Sequence, residues 1–372
     1  MPEKIFVVFL QYNEKVHRYK DPGIIAELLS QSHEVKIMSS QVNQSPLCIN
    51  LSENEIYQGG WIPEDKQCAI VIFHGGKPFC HLIQKAKKMG HKVIIKADTD
   101  GHLVRKLWNP FSDEMYGVLR SSHINLKPLF KHWLRLLDLP RWARNRGLYE
   151  VDYIILESMN AYKIFLKAFP ELVDKLVMLP NGAFFKEKDE ISLSKENQVI
   201  AVGRWDDSEQ KNPELLFKVI NIVAQQKLDW KFVIIGKYDD HVQTLYDKLD
   251  RRVRDTVQLM GAIEYNQTLE YMKRSKIILN TSRWEGFPMS GIEALSQGCS
   301  IACTPTGMSM QTGDGLLGNC TIGSNPHDLA QAVMLEMRFW EMSIRNSEEI
   351  RNTAKNLYNW DSIAKKLRFL CS

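Results

Sequence analysis

The chain has 372 residues, 44% hydrophobic and 25% charged, with a formal charge of +4. That length suits two domains rather than one, and the composition is that of a globular chain with a buried core, which excludes a disordered or low-complexity protein. The mild charge names no partner, and no stretch reaches the run of about 20 apolar residues that a spanning helix needs. The N-terminus, MPEKIFVVFL, enters a strand directly, with an apolar run too short for a secretory signal. The seven cysteines (Cys48, Cys68, Cys80, Cys299, Cys303, Cys320, Cys371) are scattered, with no C-x-x-C pair. Several lie in apolar runs, so reduced, buried thiols and a cytoplasmic protein are expected.

Short apolar runs recur along the chain, each followed by a helical pattern. In the first half they are Ile5–Leu10, Val35–Met38, Ala69–Phe73, Val93–Ile95 and Tyr153–Leu156. In the second half they are Val199–Val202, Phe232–Ile235, Val257–Met260, Ile277–Asn280 and Ser300–Cys303. Continuous apolar runs suit parallel strands buried on both faces, and their alternation with helices implies βαβ units. The series breaks at Pro180-Asn181-Gly182, which leads into the charged stretch FFKEKDEISLSKEN. The expected fold class is therefore α/β, with two doubly wound domains whose switch-point crevices face each other. Expected boundaries are 1–183, a linker at 184–197, 198–355, and a C-terminal helix within 356–372. In that helix Trp360, Ile363, Leu367 and Leu370 recur at helical spacing.

Chemistry-bearing residues gather at strand ends. After the third run, His74-Gly75-Gly76 could admit a close backbone approach or be only a turn. After the fourth, Asp98 and Asp100 in the segment DTDG stand where ligands bind in such sheets, although the same four residues also spell a plain turn. From 105 to 146 cations outnumber acids and Trp108, Trp133 and Trp142 are interleaved. This basic, aromatic stretch reads as a peripheral membrane element, a core helix with a solvated face, or an acceptor wall. No recognition motif accompanies the charge, so nucleic acid is not an expected partner. In the second half, Gly203 and Arg204 end a strand, and Lys211 precedes Asn212 and Pro213, a plausible helix cap and first residue. Arg204 and Lys211 can converge on one diphosphate. Finally, TSRWEGFPMSGIEALSQG reads as strand, tight turn and helix, with Glu285 in the turn and Glu293 inside the helix. The helix N-terminus near Ser290 would form an anion site between two hydroxyl-binding carboxylates. A ligand with sugar hydroxyls at both ends and phosphates between them fits that order.

At Glu285-Gly286-Phe287-Pro288 through Glu293 the chain resembles the retaining glycosyltransferases of family four, which have the GT-B fold. Their signature is a Glu, seven residues and a second Glu in an E-G-F-P context. The Gly203-Arg204 … Lys211 element resembles the family's diphosphate-binding element. Its spacing here is longer, and Asn212 stands where the family commonly has Gly. The resemblance implies that Arg204 and Lys211 hold the diphosphate, with Gly203, Gly286, Phe287, Pro288 and Ser290 lining the donor site. It implies that Glu285 fixes the sugar and Glu293 the ribose, and that Asp98 or Asp100 faces the donor sugar. It implies that the C-terminal helix crosses back to the first domain. The expected function is retaining transfer of a sugar from a nucleotide-diphosphate donor, UDP or GDP type, to a glycan, polysaccharide or lipid-linked acceptor. Asp98-Thr99-Asp100 also spells D-x-D, a metal-diphosphate motif of another glycosyltransferase fold. Because a cationic clamp does the same electrostatic work, the expectation is no metal and no cofactor. An epimerase of the same fold and a non-catalytic nucleotide-sugar-binding relative are the rivals.

Overall fold

A computed structural model describes residues 4–64, 66–75, 77–97, 146–185, 195–308, 315, 317–321 and 325–372. The chain divides into two compact units. The first comprises Met1–Glu157, Ala161–Leu179 and Asp361–Ser372; the second comprises Ser158–Asn160 and Pro180–Trp360.

The first unit holds a parallel sheet of seven strands: β1 (Lys4–Val8), β2 (Glu34–Ser39), β3 (Cys48–Asn50), β4 (Cys68–Phe73), β5 (Lys92–Ala97), β6 (Tyr153–Leu156) and β7 (Leu176–Met178). Their order is β3-β2-β1-β4-β5-β6-β7. Every residue of β4 is buried, as its unbroken apolar run CAIVIF requires of a strand covered on both faces. Helix α1 (Asp21–Ser30) buries eight of its ten residues, with Pro22 near its start. A charged cluster is also buried in this unit: Lys96 donates to Asp21 Oδ2 at 2.8 Å and also pairs with Glu157.

The second unit holds six parallel strands: β8 (Glu196–Val202), β9 (Lys231–Ile235), β10 (Val257–Gly261), β11 (Ser275–Asn280), β12 (Ser300–Cys303) and β13 (Gly318–Cys320). Their order is β10-β9-β8-β11-β12-β13. Successive residues of β9 face opposite sides, as strand geometry demands. Phe232 and Ile234 pack with Leu216, Val219, Leu329 and Val333, from α2 (Pro213–Ala224) and α3 (Pro326–Glu341). Val233 and Ile235 pack with Ile292, Leu295, Ile350 and Ala354, from α4 (Met289–Ser296) and α5 (Ser347–Tyr358).

All ten strands expected from the apolar runs are present, within three residues at their ends. Three more, β3, β7 and β13, were not expected. Each is three residues long and lies at a sheet edge, so none carries a long apolar run. The last helix, α6 (Trp360–Cys371), buries Trp360, Ile363, Leu367 and Leu370 as its spacing predicts. From Asp361 onward it belongs to the first unit, where Arg368 Nη2 donates to the Leu28 carbonyl at 3.3 Å.

Candidate active site

The strand order of the second sheet reverses at β8, which lies between β9 and β11. Ligands of open α/β sheets bind outside the carboxyl ends of strands at such a point. Arg204 follows β8 there, and Glu285 follows β11. The ends of β8 and β9 come close enough that a Cβ on Gly236 (φ 130°) would lie 1.7 Å from the Gly203 carbonyl oxygen. Only glycine allows that approach. Trp205 then anchors the loop, buried to 2% exposure with its Nε1 donating to the Ile235 carbonyl at 3.0 Å. The Arg204 side chain stays 65% exposed, and its nearest acceptors are Asp207 Oδ2 and Gln210 Oε1, both at 3.4 Å. Its guanidinium is held loosely and remains open to a ligand.

The loop closes in a single helical turn, Ser208–Lys211, capped at its start by the Asp207 side chain. Asn212 follows in the left-handed conformation, φ 54° and ψ 58°. Asn212 takes the N-cap position of α2, with Pro213 opening the helix as expected, but its side chain makes no cap bond. Asn enters the left-handed region more readily than most residues, and Gly more readily still. That conformation accounts for an Asn where the resembled family commonly has Gly.

Lys211 and Glu285 meet. Glu285 is buried and forms an ion pair with the Lys211 ammonium. It also accepts from Ser282 Oγ at 2.7 Å and Gln210 Nε2 at 3.4 Å. Behind it, Gly286-Phe287-Pro288 turns into α4. Phe287 is buried, its ring 5.4 Å from that of Tyr358. A Cβ on Gly307 would lie 1.8 Å from the Gly286 carbonyl oxygen, so the segment after β12 bears directly on the turn's backbone. Ser290 lies in the first turn of α4, whose leading N–H groups have no partner within the helix. The far end of α4 is capped by Arg351, which donates to the Ser296 carbonyl at 2.7 Å. Glu293 projects from the second turn. Desolvation pushes its carboxyl up from 4.5 to about 7, against the opposing effect of the Tyr265 hydroxyl bonded to it at 3.1 Å.

The structure therefore gathers Gly203, Arg204, Lys211, Glu285, Gly286, Phe287, Pro288, Ser290 and Glu293 along strand ends and one helix of a single unit. It adds Gln210, Ser282, Arg283, Tyr265 and Gly307, which sequence reasoning did not single out. Gln210 adjoins Lys211, and Ser282 and Arg283 lie three and two positions before Glu285; Tyr265 and Gly307 carry no motif of their own. Asp98, Asp100 and nearly all of the basic stretch 105–146 lie outside the described residues.

In the first unit the carboxyl ends of β1 and β4 carry an aromatic group. Phe9 lies 5.1 Å from the His17 ring, 5.8 Å from Phe73 and 5.5 Å from His74. His74 is exposed and sits at φ 67°, a strained conformation for a residue with a side chain. All seven cysteines are free thiols. Among the described residues, no group of three or more His, Cys, Asp or Glu could hold a metal ion, and no helix is long and apolar enough to cross a membrane.

Residues 184–355 match the family described as glycosyl transferases group 1. Over 355 residues the chain is 22% identical to a subunit of the phosphatidylinositol N-acetylglucosaminyltransferase of Arabidopsis thaliana, covering 91% of this chain and 74% of that one. Among solved structures it is similar to a glycosyltransferase from Rickettsia africae ESF-5, with a TM-score of 0.70, 14% identity, and 99% and 98% of the two chains covered. It is also similar to Alr3699/HepE of Anabaena in complex with UDP, with a TM-score of 0.63, 15% identity and the same coverage. Motif, sheet order and these likenesses agree on the GT-B fold, and residues 184–355, within the second unit, match the glycosyl transferases group 1 family.

Proposed function

We propose that the enzyme transfers a sugar from a nucleoside-diphosphate donor to an acceptor hydroxyl with retention of anomeric configuration. The observation that carries this reading is the grouping of an open guanidinium (Arg204), an ammonium (Lys211) and the N-terminus of α4 beside two carboxylates eight positions apart. As the bond from anomeric carbon to phosphate oxygen breaks, negative charge grows on the diphosphate. Arg204, Lys211 and the first N–H groups of α4 would stabilise it. Glu285 would accept hydroxyls of the sugar, and Glu293 those of the ribose. An oxygen of the departing phosphate would take the proton of the attacking hydroxyl, so no carboxylate nucleophile is required. With positive charge supplied this way, no metal is needed at the diphosphate.

The likeness to a protein solved with UDP favours a uridine donor. The likeness to an enzyme named for phosphatidylinositol favours an acceptor hydroxyl carried by a lipid, with the protein acting at a membrane surface.

Two substitutions test the reading. Arg204→Ala should weaken UDP binding by about tenfold to a hundredfold, the worth of a charge-assisted contact. Glu285→Gln should lower turnover much more than UDP affinity, because Glu285 is assigned to the sugar. Calorimetry with UDP, beside initial rates on a panel of nucleotide sugars, gives both numbers. Unchanged UDP affinity in Arg204→Ala, or equal losses of rate and affinity in Glu285→Gln, would overturn the assignment. Conversion of the donor to a new nucleotide sugar, with no acceptor present, would make the enzyme an epimerase instead.

A further inference from the structure

Lys211 reaches Glu285 from the far end of the loop that follows Arg204. That loop ends in the helical turn Ser208–Lys211, too short to hold its shape alone. What holds it is the residue two before Glu285. The Arg283 guanidinium, through Nη1, donates to the carbonyls of Ser208 and Glu209, both at 2.8 Å. The Arg283 backbone N–H donates to the Gln210 carbonyl, also at 2.8 Å. Thr281 Oγ1 adds a bond to the Lys211 carbonyl at 2.9 Å, and Gln210 Nε2 one to the Trp284 carbonyl at 3.1 Å. The carbonyls of all four residues of the turn are thus bound by the 281–283 strand exit. A guanidinium at the carboxyl end of a helical turn also meets its negative dipole end. On its other side Arg283 Nη2 lies 3.9 Å from Glu214 Oε2, at the start of α2.

We propose that Arg283 is a positioning residue: by clamping the carbonyls of the 208–211 turn, it fixes the Lys211 ammonium at the Glu285 carboxylate, without touching the donor itself. This rests on the donor-site reading above. The loop would otherwise let Lys211 wander, and a point charge on a flexible stem helps a diphosphate only where it is held. Arg283 supplies rigidity to the loop, and the motif glutamate and its lysine are set by the same few bonds.

The test is a double-substitution cycle read by calorimetry with UDP, or with GDP if that nucleotide binds instead. Lys211→Ala should weaken diphosphate binding by about tenfold or more. Arg283→Ala should weaken it almost as much, and the two together should be no worse than Lys211→Ala alone, because one residue acts through the other. Arg283→Lys, which keeps a donor, should recover part of the loss. Thermal melting is followed for each protein. If Arg283→Ala does not fold, Arg283→Gln and Arg283→Lys complete the cycle. Additive losses would mean that Arg283 meets the phosphate directly, and wild-type affinity in a folded Arg283 variant would mean that it positions nothing; either overturns the inference. Wild-type affinity in Lys211→Ala would instead overturn the donor-site reading.

Discussion

Glu293 is the carboxyl whose cost can be worked out. Burial raises it from 4.5 in the unfolded chain to about 7 in the folded one, so between those values the folded protein holds a proton that the unfolded chain has released. Stability falls with rising pH across that window, since the native state binds more protons there. Below about pH 4.5 this penalty is absent, and above about 7 it is fully present. Its size is on the order of 1–3 kcal/mol, given about 1.36 kcal/mol for each tenfold change in proton affinity and a side chain that is not wholly enclosed. Glu293→Gln should therefore raise the melting temperature at pH 8 while leaving it near the wild-type value at pH 4.5. Melting curves at the two values decide it; an equal effect at both would show that the charge is not the cause. A group kept at such a cost belongs to a ligand site more often than to packing. The spacing of Glu285 and Glu293 was legible because a turn signal and a helix stop framed it. The depth of Glu293 was not, because burial is a matter of tertiary packing and even Tyr265, which bonds it, is remote in sequence.

At the scale of elements, the backbone contact between the segment after β12 and the Glu285 turn sets a narrow tolerance. Gly307→Ala would drive a methyl group into the Gly286 carbonyl, and backbone cannot swing aside as a flexible side chain can. The expected cost is about 1–3 kcal/mol, the range for overpacking, with turnover falling further than stability because the turn carries Glu285. Urea denaturation beside initial rates would separate the two, and a variant with wild-type rate would show that the contact is dispensable. This contact had no signature in the sequence: a glycine in TPTGMSM gives no hint of which carbonyl it meets. Central strands such as β4 and β9 were legible because two-sided burial demands unbroken apolar runs. The edge strands β3, β7 and β13 were not, because half of an edge strand's partners are missing and three residues carry no period. The loop around Asn212 was half legible. Pro213 marked the helix start, while the left-handed backbone before it showed itself only in the structure.

For the molecule as a whole, the two runs of βαβ units were readable because the alternation repeats in each and stops at Pro180-Asn181-Gly182. Metal dependence is likewise a property of the complete enzyme. If Arg204, Lys211 and α4 supply the positive charge, transfer should persist in excess EDTA at close to its initial rate. Rates measured with EDTA, then with Mn²⁺ or Mg²⁺ restored, check this; loss and recovery would put a metal at the diphosphate and return Asp98-Thr99-Asp100 to the centre of the mechanism. The assignment of residues 361–372 to the first unit also bears on how the protein comes into being. Synthesis at roughly 5–20 residues per second separates Leu179 from Asp361 by about 10–40 s. Throughout that interval the nascent first unit lacks the helix that brings Ile363, Leu367 and Leu370 to it, while the second unit is being finished. The half of the enzyme that is made first is thus the last to be completed, and a newborn chain carries an uncovered apolar face that chaperones, or a neighbouring chain on the same message, can reach.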